Sequence, residues 1–207
     1  MLKFFRKKNI ARLVLWSLLI LILPAFVLWG TGMGGSKNKG PTFVGVIDNR
    51  KVSFDDLGLS IMSIRGQILL NYFNQPEMME KLSKNNPFIA KMAWDRLLML
   101  KEANKNKIKV PDDELIRHIR SHPIFNRSGS FDDHIYAYVL KNNIGMSARV
   151  FEEMMRENMK IQRLQDTIAK DVKTADEKNK ALEDWLKALE AKASLNIDFN
   201  DYEKYYK

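Results

Sequence analysis

The chain has 207 residues, of which 45% are apolar, so the part that follows an N-terminal segment is long enough for one ordinary domain core. It contains no cysteine, which excludes disulfides, thiolate metal sites and a cysteine nucleophile. The net charge of +9 would suggest a nucleic-acid partner only if the charge were spread over a folded surface. Five of the 34 basic residues lie in the first twelve positions, and no acidic residue precedes Asp48. The remainder carries 29 basic against 25 acidic side chains, so nucleic-acid binding loses its main support.

The first thirty residues predict a membrane anchor. Leu13 to Trp29 is a run of seventeen residues without a charge that includes Trp16 and Pro24. A helix of that length covers roughly 26 Å, which nearly spans a bilayer core, and proline is tolerated there. The positive-inside rule keeps the basic start in the cytoplasm. Residues 1–30 are therefore expected to form a single-pass anchor in a bacterial inner membrane, with the rest of the chain in the periplasm.

Three other interpretations each fit part of this region. A cleaved signal peptide also has a basic start and an apolar run, and Gly30 and Gly32 offer small residues for cleavage, although the run exceeds the usual signal core. A buried soluble helix would equally lack charge. Gly30, Gly32 and Gly35 match the spacing of a dinucleotide fingerprint, but that motif needs a strand before it and a helix after it. We expect residues 31–41 to be a flexible linker and no cofactor to bind.

The rest of the chain predicts a mainly α-helical domain. Thr42 to Ile47 is predicted as a strand that turns at Asp48, and Ser53 caps a helix that runs to about Phe73. The apolar residues on one face of that helix are Leu57, Ile61, Ile64, Ile68 and Tyr72. Further helices are predicted over 78–82, 88–104, 111–121, 132–142, from a cap at 147 past 168, and over 180–192. Gly145 is predicted to cap the C-terminus of the helix over 132–142, and residues 172–179 are predicted to be a polar joint. Residues 194–199 alternate apolar and polar side chains, as a half-buried strand does. Their plausible partner is the strand near Thr42, so a small sheet would pair the two ends of the domain.

The order of residues from 123 to 159 brings a family into view. Proline and phenylalanine are followed by a glycine turn, Phe-Asp, a tyrosine, a leucine, a second glycine and a Phe-Glu helix. The chain here resembles the SurA and PpiD family, on Pro123, Phe125, Gly129, Phe131, Asp132, Tyr136, Leu140, Gly145, Phe151, Glu152 and Arg156. Residues 44–57 resemble the opening strand and helix of its chaperone module, and 182–199 resemble the closing helix and strand. The basic anchor resembles PpiD.

The resemblance implies a SurA-N-like helical chaperone domain over 42–199, followed by a polar tail at 200–207. It implies a membrane-anchored holdase that binds unfolded or newly translocated polypeptides, including outer-membrane proteins, near the secretion translocon. Family members usually carry a parvulin-type prolyl isomerase domain after the long helix. Too few residues lie between Asp171 and Lys180 for that fold, so we expect no isomerase activity and no enzyme.

Methionines and aromatic residues are the candidates for polypeptide binding. Methionine is flexible and polarisable, so a surface rich in it can repack around many sequences. The alternative for any single residue is that it fills the helix core, because periodic apolar stripes are usually buried. The candidates are Met92, Trp94, Phe125, Phe131, Tyr136, Tyr138, Met154 and Met155.

Metal binding and catalysis have weaker support. His118 and His122 are four apart with Glu114 a turn earlier, but no second motif supplies further ligands, so no metal is expected. Paired acidic residues sit near predicted helix starts, where they offset the helix dipole. Two rival functions stay open: a membrane-tethered scaffold that docks one dedicated partner, and a reduced prolyl isomerase.

Overall fold

The computed structural model describes residues 41–201. The predicted anchor, with Leu13, Trp16, Pro24 and Trp29, lies outside the described residues, as do the linker up to residue 40 and residues 202–207. Every helix within 41–201 is too short or too polar to cross a bilayer.

The described part is mainly helical, as predicted, and also contains short strands. The helices are α1 (Phe54–Tyr72), α2 (Pro76–Ser83), α3 (Asn86–Lys105), α4 (Asp112–Ser121), α5 (Asp133–Tyr138), α6 (Ala148–Ile168) and α7 (Ala175–Glu190). The strands are β1 (Gly45–Ile47), β2 (Arg50–Val52), β3 (Asn126–Arg127), β4 (Ser130–Phe131) and β5 (Ala193–Leu195). A 3₁₀ turn at Pro123–Phe125 precedes β3, and a π-helix at Val139–Ile144 follows α5.

A three-stranded sheet pairs the two ends of the domain, as the sequence predicts. The central strand β1 is antiparallel to β2 on one side and to β5 on the other. The hairpin between β1 and β2 turns at Asp48 and Asn49, whose φ angles of 47° and 61° suit a type I′ turn. The closing strand is shorter than the predicted 194–199, because Ile197 leaves the sheet and is buried in the core with 6% exposure.

Gly45 allows the sheet to be packed from the side of α3. A Cβ atom at this position would lie 2.3 Å from the Ser194 carbonyl oxygen and 2.6 Å from the ring of Trp94. Trp94 is itself 5% exposed. Because Gly45 has no side chain, Trp94 of α3 can pack directly against the strands that close the domain.

Two apolar cores stabilise the fold. The first joins the sheet to α1 and α3, and it includes Leu57, Ile61, Ile64 and Ile68, which were predicted to share one helical face. The second lies between the end of α1, α4, the 3₁₀ turn, the π-helix and α6. Because α1 contributes to both, it fixes their relative position.

The structure differs from the predicted helices in two places. The predicted helix 132–142 is split into α5 and a π-helix, which ends at Gly145 with a φ of 74°, the predicted C-terminal cap. The helix predicted over 180–192 begins earlier, at Ala175, so the polar joint was placed wrongly. Thr174 and Glu177 form a capping box that starts α7, which explains the earlier start.

Candidate functional site

An open cleft of about 540 Å³ lies between α1, α3 and α6, and we call it the apolar cleft. Three large apolar side chains in it remain in contact with solvent: Leu59 is 58% exposed, Met62 38% and Val150 42%. Its other apolar residues are Leu97, Leu100, Met146 and Met154. A partner that covered these side chains would remove apolar surface from water, which is favourable.

Arg96 forms the wall between the apolar cleft and a second cleft. Its side chain is only 5% exposed and lines both. The guanidinium donates from Nη2 to Glu157 Oε2 at 2.6 Å and from Nε to Asn158 Oδ1 at 3.1 Å. Arg96 therefore joins α3 to α6 through a nearly buried charge.

Two serines on α1 let the neighbouring helices approach the base of the apolar cleft. Ser60 is 1% exposed, and its hydroxyl donates to the carbonyl oxygen of Ala93 at 2.8 Å. Ser63 is 2% exposed, and its hydroxyl has no hydrogen-bond partner in the described part of the chain. Small side chains here leave room for the cleft above them.

The second cleft, of about 290 Å³, lies where α1, α3, α6 and α7 meet. Its lining is more polar, and its side-chain carboxamides come from Gln67, Asn158, Gln162 and Gln165. We call it the amide cleft. The closing helix α7 supplies Leu186 to its wall and has no fully buried residue of its own.

An ion cluster holds α7 against α3 near the amide cleft. Lys91 Nζ lies 2.9 Å from Asp95 Oδ2 on its own helix and 2.7 Å from Glu190 Oε1 on α7. Burial raises the pKa of the Asp95 carboxyl group despite the hydrogen bond from Lys91. One lysine therefore bridges carboxylates on α3 and α7.

The predicted polypeptide-binding residues are divided between cores and surface. Trp94, Phe125, Met154 and Met155 are at most 5% exposed, whereas Tyr138 is 64% exposed. The half-buried residues are Met92, Phe131 and Tyr136. Met154 lies in the apolar cleft and Met92 in the amide cleft, so the structure does not bring the predicted set together at one site. Their role in binding stays a prediction.

Most of the aromatic candidates form one cluster within the second core. The ring centroid of Phe125 lies 5.1 Å from that of Tyr136, 5.7 Å from those of Phe151 and His122, and 6.4 Å from that of Phe131. Burial and the neighbouring Glu152 charge raise the pKa of the Tyr136 hydroxyl. The residues that carry the family resemblance thus build a packed aromatic centre.

Sequence reasoning missed the exposed residues of the apolar cleft. Leu59 and Met62 fall outside the apolar stripe of α1, and Val150 is an exposed residue in the first turn of α6. An apolar residue off the buried stripe was the available signal. Such a residue indicates a binding surface only when neighbouring helices place several of them together.

The other candidate chemistry has ordinary structural partners. Within 41–201, no group of three or more potential ligand side chains is arranged to hold a metal ion. Glu114 accepts a hydrogen bond from Arg163, and burial lowers the pKa of His122. Asp132 accepts from the amides of His134 and Ile135 at 2.9 and 3.0 Å, as an N-cap does.

Comparison with known proteins identifies the family. A sequence model of the SurA-like N-terminal domain matches residues 1–165. The chain belongs to the SurA-like N-terminal domain family. The match runs from the N-terminus to within α6, so every residue that lines the apolar cleft lies inside it. This confirms the SurA part of the resemblance, and membership in the family points to a chaperone-like role.

The searches of curated proteins and of solved structures found no match to this SurA-like protein. The closer resemblance to PpiD stays a prediction.

Proposed function

We propose that this protein is a holdase-type chaperone that binds unfolded exported polypeptides, including outer-membrane proteins, in the apolar cleft. The observation that carries the proposal is the exposure of Leu59, Met62 and Val150 within one cleft of a SurA-like N-terminal domain. Exposed apolar residues grouped together mark interaction sites more often than scattered ones do.

The strength of binding that this cleft can supply suits a holdase. Fully burying one large apolar side chain is worth about 1.5–3 kcal/mol, and these three side chains are already partly covered. Their combined contribution is on the order of a few kcal/mol, which corresponds to weak binding. Weak contacts let a client leave and fold without an energy source.

Light scattering of an unfolded outer-membrane protein tests the proposal. The wild-type chain should suppress aggregation, and Leu59→Glu should weaken suppression because it places a charge in the apolar cleft. Ile116→Glu is the matched control: Ile116 is 52% exposed, close to Leu59, but it lies on α4 and outside the cleft. It should suppress aggregation as the wild type does.

The outcomes separate the alternatives. No suppression by the wild type would overturn the holdase proposal, and equal loss in both variants would show that the cleft is not the site. Purification from membranes should give many substoichiometric clients. A single partner at fixed stoichiometry would instead favour the scaffold function.

We also propose that residues 1–30 anchor the chaperone in the inner membrane, with residues 42–199 in the periplasm. The uncharged run from Leu13 to Trp29 and the basic residues before it support this topology. Alkaline extraction should leave the full chain in the membrane and release a chain that begins after residue 30. Protease added to spheroplasts should digest the domain. Release of the full chain would contradict the proposal.

Isomerase activity is not part of the proposal. Residues 169–174 alone separate α6 from α7, which leaves no space for a parvulin fold at its usual place. A proline-containing peptide should therefore isomerise at its uncatalysed rate with the protein present. Measurable acceleration would revive the enzyme hypothesis.

A further inference from the structure

The amide cleft has a hydrogen-bonding capacity that the fold leaves largely unused. Within the described residues, the carboxamides of Gln67 and Gln162 make no hydrogen bond. Gln165 donates only to the sulfur of Met99, at 3.4 Å, and sulfur is a weak acceptor. Asn158 accepts from Arg96, and its amino group donates to no group in the described part of the chain.

These carboxamides form a row. Asn158, Gln162 and Gln165 are spaced i, i+4, i+7 on α6, which places them on one face of that helix, and Gln67 on α1 lines the same cleft. The row on α6 is roughly 10 Å long at about 1.5 Å per residue. An extended chain rises about 3.3 Å per residue, so the row matches roughly three residues of an extended segment.

We propose that the amide cleft binds the main chain of an extended polypeptide segment. The inference rests on the proposed holdase function. A side-chain carboxamide has the same donor and acceptor groups as a peptide bond, so it can hydrogen-bond a main chain whatever the side chains are. A chaperone for many clients needs such contacts, because only the main chain is common to them.

The surroundings of the row fit this ligand. Met92 and Met99 lie on the facing side of α3, seven residues apart, and methionine adapts to side chains of different shape. Arg96 lines both clefts, so one extended segment that passes Arg96 can reach both of them. The main chain of that segment can contact the carboxamides, and its side chains can contact the apolar cleft.

A peptide pair tests the inference on the full-length chain. The probe is a short synthetic peptide of alternating valine and serine with a fluorescent label, and its partner has ester bonds in place of the central peptide bonds. The ester removes each N–H donor and keeps every side chain. Fluorescence anisotropy should show the ester peptide binding roughly two- to tenfold more weakly for each bond replaced.

Substitutions locate the effect. Gln67→Met and Gln162→Met keep the side-chain length and remove the carboxamide, so each should weaken binding of the parent peptide and reduce the discrimination against the ester. Gln75→Met is the matched control, because Gln75 is exposed and lies outside the amide cleft. It should retain both affinity and discrimination.

The outcomes distinguish this inference from the proposed function. If wild type binds both peptides equally and Leu59→Glu abolishes that binding, the holdase site stands and the main-chain site is refuted. Discrimination that survives in both glutamine variants also refutes it. No binding of either peptide, together with no suppression of aggregation, overturns both proposals.

Discussion

The ion pair between Arg96 and Glu157 should be strongly coupled, and the two partners should respond differently to removal. The Arg96 side chain is 5% exposed, and that of Glu157 is 29% exposed. Removing one partner of a buried pair costs about 3–5 kcal/mol, because the other charge is left without compensation. Glu157→Met leaves the guanidinium buried beside Asn158 alone. Arg96→Met leaves a carboxylate that water can still reach.

We therefore expect Glu157→Met to lower the free energy of unfolding by about 2–4 kcal/mol and Arg96→Met by about 1–2 kcal/mol. In the double variant two methionines replace the ions with apolar volume, so much of the loss should be recovered. The coupling energy should be about 2 kcal/mol. Urea unfolding followed by helical circular dichroism measures all four proteins of the cycle.

The pair between Glu183 and Lys187 on α7 is the matched control. Its atoms are also 2.6 Å apart, but its side chains are 63% and 62% exposed. Its coupling should be within the error of the measurement, because water and side-chain entropy offset the attraction. Equal coupling in the two pairs, or a larger loss for Arg96→Met than for Glu157→Met, would refute the argument from burial.

Two further predictions concern a pair of glycine substitutions, which should change the free energy of unfolding in opposite directions, and a histidine whose effect on stability should depend on pH. Gly45→Ala should lower the free energy of unfolding by about 1–3 kcal/mol in urea, because its Cβ would meet the Ser194 backbone and the Trp94 ring. Gly66→Ala in α1 should be neutral or stabilising by up to about 1 kcal/mol, because alanine favours the helix and its Cβ would meet only the flexible sulfur of Met154 at 3.3 Å. Equal losses in both would contradict this reasoning. Burial lowers the pKa of His122 below its ordinary value of 6.5, so the unfolded chain takes up the proton first and stability falls as the pH drops through and below that value. His122→Asn should keep the hydrogen bond that its side chain accepts from the Ile124 amide and lose this pH dependence, while substitution of the exposed His134 by Asn should leave it intact. Identical pH profiles for the wild type and both variants would disprove the assignment.

Helical periodicity predicted the buried side of α1 because burial and spacing are linked within one element. Leu57, Ile61, Ile64 and Ile68 are all at most 6% exposed. The closing strand pair was also predictable, since a short alternating segment at one end needs a partner and only one was available. Periodicity could not show that Leu59 and Val150 would line the same cleft, because that depends on how α1 and α6 pack against α3.

The start of α7 had a local signal in the sequence, but the polar composition around it favoured a loop. The polar residues after Asp171 favoured a loop, but the Thr174 and Glu177 capping box starts α7 among them. The π-helix that ends at Gly145 has no comparable signal in the sequence, because its wider turn is imposed by packing of Val139 and Leu140 into the second core. Family membership could be predicted from residues that pack an aromatic centre, whereas their role in binding stays a prediction.

Because β1 pairs with β5, the sheet can be completed only after the last described strand has emerged. Under the proposed topology, Gly45 to Ile47 enters the periplasm before α1, whereas Ala193 to Leu195 enters only after α7. Until then one edge of β1 is open, and such an edge can pair with another chain. Under the proposed function and topology, the emerging chain is therefore itself an unfolded client until β5 arrives.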